Sequence, residues 1–65
     1  MTDQEIERYL EQLTFTIALD TEHFHAVSDH KRQNIQKDLI MNKQSFRALC
    51  NERERRIIAG NYKPY

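Results

Sequence analysis

The side chains with the most chemical reach gather in two places. Between Asp20 and His30 stand three imidazoles, His23, His25 and His30, among the carboxylates Asp20, Glu22 and Asp29. Imidazole nitrogen and carboxylate oxygen are the donors that zinc and similar ions take. The spacing is poor for that purpose. Residues two apart on a helix do not face the same way, and no H-x-x-x-H or C-x-x-C pattern occurs. Ordinary connector histidines are expected, with no metal. Cys50 is the single thiol and lies in line with apolar residues, where a free thiol behaves as a small hydrophobe. As a nucleophile it would need a base, an oxyanion site and a concave pocket to hold them. A 65-residue chain offers little room for that. One glycine cannot build a phosphate-cradling loop. No catalytic residue and no cofactor is expected, and the chain reads as a non-enzyme.

The second place is the run NERERR over 51–56, preceded by Arg47. Basic residues near a helix C-terminus complement its dipole, and Glu52 with Arg56 makes a favourable i,i+4 pair. The functional alternative is contact with an anionic partner, either a phosphate backbone or an acidic protein face. Glu52 and Glu54 oppose the phosphate version, as does a sequence pI near 6.8. Arg53 is the sharper clue, because it falls within an otherwise apolar stripe. An arginine there must snorkel, or meet an acid such as Glu7 or Glu11, or lie at an interface. The candidate partner-binding residues are therefore Arg47, Arg53, Arg55 and Arg56, with Ile57 and Tyr62 beside them.

The elements that must carry these residues read as helices. Thr2 to Glu5 matches a capping box, and Ile6, Tyr9, Leu10, Leu13 and Ile17 follow at helical spacing. The spacing predicts a first helix over about 3–19. Leu13 to Leu19 also suits a strand, but no second strand exists to pair with it. On that helix Phe15 and Leu19 lie opposite the main stripe, which asks for cover from something besides the second helix. Asp20 or Thr21 is a cap candidate for a short connector helix over about 21–27. From Ser28 to Gly60 no glycine or proline intervenes, and Ile35, Leu39, Phe46, Leu49, Cys50 and Ile57 share one stripe with Asn42 and Arg53. A break near 42–45, capped by Asn42 or Ser45, would close a compact three-helix bundle, and this is the preferred form. The alternative is one helix over 29–59, roughly 46 Å long at 1.5 Å per residue, which outruns the first. Gly60 fits a left-handed cap. The tail 61–65 either folds its tyrosines back or stays mobile.

Composition bounds the rest. The chain is a single small all-α domain over 1–65, and a core of this size rarely supplies more than ~3–5 kcal/mol. With one cysteine there is no disulfide to help, so self-association is expected. The lone thiol and the lack of a leader-like start point to the cytoplasm, and no apolar run is long enough for a membrane. The net charge of zero hides a division. Residues 1–30 hold seven acids against Arg8 alone, and residues 31–65 hold nine bases against three acids. Helices of opposite charge attract, within or between chains. The expectation is a homodimeric regulatory protein that binds another protein through a helical face and inhibits it. The alternative is a nucleic-acid-binding regulator that sets Arg47, Arg55, Arg56 and Lys63 on phosphates.

Overall fold

A computed structural model describes residues 1–65 and is all-helical. Helix α1 spans Asp3–Ala26 and helix α2 spans Asp29–Ile58. The two pack against each other as an antiparallel hairpin. The molecule measures 47 × 17 × 15 Å, with a radius of gyration of 14.5 Å. A compact domain of this length would have about 11 Å. The hairpin is a rod.

The ends of the helices follow from local chemistry. The Thr2 hydroxyl accepts from the Glu5 amide at 3.1 Å, and the Glu5 carboxylate accepts from the Thr2 amide at 3.0 Å. This is the expected capping box, satisfying two otherwise orphaned amides. At the far end of α2, Gly60 has φ 75°. Its amide donates to the Ile57 carbonyl and the Asn61 amide to the Arg56 carbonyl, at 3.0 and 2.9 Å. That pair of bonds is a Schellman cap, and its left-handed residue favours glycine.

Two sequence expectations are corrected. The connector over 21–27 is not a separate helix, because α1 runs unbroken through it to Ala26. The cap candidates there are otherwise engaged. The Thr21 hydroxyl donates back to the Ile17 carbonyl at 2.7 Å, and Asp20 faces α2 to accept from the Asn42 amide nitrogen at 3.4 Å. Phe24 and Val27 extend the same stripe as Ile17, so packing continues where the propensity signal suggested a stop. The break near 42–45 does not occur either; α2 is one helix of 30 residues. Asn42 costs a helix at most about 0.7 kcal/mol relative to Ala, and its side chain has an interhelical partner. With α1 longer than expected, at 24 residues, α2 is accompanied along nearly all its length. The reversal takes only Val27 and Ser28, both extended. Ser28 is the backbone N-cap of α2, but its hydroxyl makes no capping bond and instead approaches His30 Nδ1 at 3.4 Å.

The seam has a strict three–four spacing on both helices. On the α1 side it comprises Asp3, Ile6, Leu10, Leu13, Ile17, Asp20, Phe24 and Val27. On α2 it comprises Arg32, Ile35, Leu39, Asn42, Phe46, Leu49, Arg53 and Arg56. All are buried or half-buried, and elsewhere in the two helices only Glu5, Glu7, Cys50 and Glu52 escape full exposure. This is the heptad rule for two helices in a shallow supercoil. The Asp3–Arg56 ion pair at 2.6 Å sets the register. In that register Leu10 stands level with Leu49, Leu13 with Phe46, and Phe24 with Ile35. Only Ile6, Leu10 and Leu39 are buried, and of these only Ile6 completely. No helix is long and apolar enough to cross a membrane.

Ile6 is 0 % exposed, whereas Phe15 is 66 % exposed. Ile6→Ala is expected to cost about 2–5 kcal/mol, the usual range for emptying a core site. Phe15→Ala is expected to stay within about 0.5 kcal/mol. Urea titration followed by circular dichroism measures both, and equal losses would contradict this placement of the core.

Candidate functional site

The open end of the hairpin, where α1 begins and α2 finishes, is held by a charged clasp. Asp3 sits in the first turn of α1, where the helix dipole favours a carboxylate, and Arg56 sits in the last turn of α2, where it favours a cation. The Arg56 guanidinium donates to Asp3 at 2.6 Å, to Glu52 at 3.0 Å and to the Met1 carbonyl at 2.8 Å. The other Asp3 oxygen accepts from the Lys63 amide at 2.8 Å. One turn further in, Arg53 reaches Glu7 at 3.4 Å, and the Tyr62 hydroxyl donates to the same carboxylate oxygen. The clasp thus ties three segments: the start of α1, the end of α2, and the tail after Gly60.

Its titration follows from these contacts. The Lys63 amide, and after it the Arg56 guanidinium, hold the Asp3 carboxyl below its ordinary range. The Thr2 amide and hydroxyl do the same for Glu5. Glu52 is lowered chiefly by its hydrogen bond from Arg56, and Arg56 is raised by Asp3 and then Glu52. Burial first, and the Glu7 carboxylate second, push the Tyr62 phenol up to about 12.

The two long flanks of the hairpin differ in kind. On one, a trough runs between the helices past Tyr9, Leu13 and Thr16 of α1 and Ser45, Ala48 and Leu49 of α2. No side chain lining it carries a formal charge, in a chain where 31% of residues do. On the other flank the corresponding trough is edged by Glu7, Arg8, Glu11 and Arg53. A neighbouring depression on the α2 side is formed by Ile40, Lys43, Gln44, Phe46 and Arg47. The trough on one flank is bare of charged side chains along its central stretch; the other flank is rich in them.

The sequence-predicted residues divide accordingly. Arg53, Arg56 and Tyr62 belong to the clasp, where their polar groups are taken by Glu7, Asp3 and Glu52. Arg53 meets Glu7, one of the two acids expected for it. Arg55 is outside and pairs with Glu52 in its own helix. Arg47 and Ile57 are exposed on α2. The structure therefore does not gather the six into one patch. Three lock the molecule together and three face solvent. His23, His25 and His30 do not converge with carboxylates into any cluster of three or more ligating groups. Cys50 is half-buried beside the seam.

Sequence reasoning missed the uncharged flank. Its signal was present in the three–four seam, because the positions bordering that seam on one side are Tyr9, Gln12, Thr16 and Leu19, then Met41, Ser45 and Ala48. A wheel drawn for one helix at a time does not show that the uncharged stretches of these two edges adjoin. No protein-family model, curated protein or solved structure matches this chain.

The clasp predicts a two-sided pH dependence. Asp3, Glu5 and Glu52 bind fewer protons folded than unfolded. Their contribution is whole above the ordinary values of 3.8 for Asp3 and 4.5 for the glutamates, and it drains away as pH falls below them. Tyr62 holds its proton more tightly when folded. Its contribution is whole below 10.0 and is lost as pH rises towards about 12. Melting temperature followed by circular dichroism should form a plateau between these limits. Tyr62→Phe should flatten the alkaline fall and leave the acid limb in place; an unchanged alkaline limb would remove Tyr62 from the clasp.

Proposed function

We propose that this chain is a non-enzymatic interaction protein of the cytoplasm, a homodimer that binds another protein through an exposed face of α2 and modulates it by occupying the partner's surface. The observation that carries this is the imbalance between covered and uncovered apolar surface. Three residues are buried, while Ile40, Ile57 and Ile58 stand exposed along one side of α2. Large apolar side chains grouped on one face mark interaction surfaces more than scattered ones do.

Ile40, Lys43, Arg47, Cys50 and Ile57 recur at three-, four- and seven-residue spacing along one side of α2, so they present a single face. Its chemistry is apolar anchors among bases. That suits an acidic protein surface with an apolar groove, the helix-in-groove mode of recognition. Arg47 and Ile57 retain the binding role expected of them, with Arg55 near the end of the same helix. Arg53, Arg56 and Tyr62 act indirectly, by holding the end of α2 to α1.

The test is affinity capture from the native host with the full chain, alongside an Ile40→Glu/Arg47→Glu chain. A partner retained by the first, lost by the second and held as salt rises is the expected result. Capture that is identical for both chains would remove this face from the proposal. Capture of nucleic acid that collapses steeply with salt would replace protein binding by phosphate binding, since counterion release makes such affinity strongly salt-dependent.

A further inference from the structure

We infer that the uncharged flank is the seat of a second copy of this chain, packed so that acidic α1 of each copy lies along basic α2 of the other in an antiparallel four-helix bundle. The inference rests on the homodimer just proposed and assigns its face and its arrangement.

Area is the first argument. The chain exposes 5271 Å². A compact folded monomer of 7.9 kDa is expected to expose about 4,400 Å². The excess, roughly 900 Å², is close to the ~800 Å² that each partner contributes to a standard stable interface. A hairpin covering only one stripe of each helix has this much left to cover.

Charge selects the flank. Burying the charged side would strand Glu7, Glu11, Lys43 and Arg47 away from water, which is costly without partners of matching geometry. Burying the other side strands no ion in its central stretch. There the small side chains of Thr16, Ser45 and Ala48 let helices approach closely. Larger apolar groups stand at one end of that stretch, Leu19 at 50 % exposure and Met41 at 65 %. Tyr9 stands at the other.

Charge also selects the arrangement. A two-fold axis parallel to the helices keeps every residue at its own level and sets α1 opposite α2 of the partner. Leu19 then meets the level of Met41, and Thr16 that of Ser45. Beyond the uncharged stretch Glu5 comes level with Arg55, and His23 with Asp38. The alternative axis, perpendicular to the helices, sets α1 against α1. That helix holds six acids and one base, so the pairing opposes like charge. The whole chain has no net charge to resist association.

The test is light scattering of the full chain with circular dichroism in parallel. The wild-type chain is expected at twice 7.9 kDa. Thr16→Glu and Ser45→Lys, each alone, are expected at the single-chain mass, because the dimer would then bury two charges in the flank, each facing an uncharged side chain of the other copy. Mixed in equal amounts, they should return to the doubled mass, since the glutamate of one chain then faces the lysine of the other. Lys43→Glu, on the opposite flank, should remain doubled. Wild type at single-chain mass would overturn the homodimer itself. A wild-type dimer with Thr16→Glu and Ser45→Lys still doubled would leave self-association standing and overturn the face. Where either variant alone loses its helical signal, the mixture decides: failure to recover helicity and doubled mass overturns the arrangement of α1 along α2.

Discussion

Two helices laid side by side can cover only one stripe of each other. Everything else in this molecule answers to that constraint. The stripe is regular along the whole rod, yet it buries only Ile6, Leu10 and Leu39. Hydrophobic burial on that scale is small against the conformational entropy of ordering 65 residues. The hairpin therefore draws on other terms, and it leaves flanks that can serve other molecules.

Charge supplies part of what the core does not. The division between an acidic first half and a basic second half becomes, in the fold, a division between adjacent helices. Antiparallel packing then brings the dipole-favoured acid of one terminus to the dipole-favoured base of the other, as Asp3 and Arg56 show. The clasp also explains the polar residues in the seam. Arg53 is tolerated because Glu7 stands beside it, and Asn42 because Asp20 does. A polar contact in a coiled-coil seam gives up some stability and gains register, since slippage would leave Asn42 and Asp20 unpaired. At the turn, Arg32 adds a fourth interhelical tie, donating to the Phe24 carbonyl at 3.0 Å with its guanidinium 5.5 Å from the Phe24 ring.

The two flanks follow from the same arithmetic of helix positions. Residues next to the seam on one side are Tyr9, Thr16, Ser45 and Ala48; on the other they are Glu7, Lys43, Cys50 and Ile57. The rod therefore has an uncharged trough on one side and a charged one on the other. The sequence carried this asymmetry all along, but as two separate one-helix patterns. Without the register neither pattern says which edges meet.

What the chain's residues determined alone is whatever depends on near neighbours. Thr2 and Glu5 made the N-terminal cap legible because both partners lie within one turn. Gly60 did the same for the C-terminal cap, because only a left-handed residue closes that turn cheaply. The apolar stripe of α2 and its two polar intruders were equally readable. Tertiary structure decided where the chain reverses. Asp20, Thr21, Asn42 and Ser45 all have the local propensity to cap or break a helix. Continuous packing of Phe24 and Leu39 against the opposite helix outweighs propensities of a few tenths of a kcal/mol. It also decided the roles of the arginines. A guanidinium has the same local preferences at 47, 53, 55 and 56, and only the arrival of α1 and the tail beside two of them turns Arg53 and Arg56 into the clasp that holds the end of the hairpin shut.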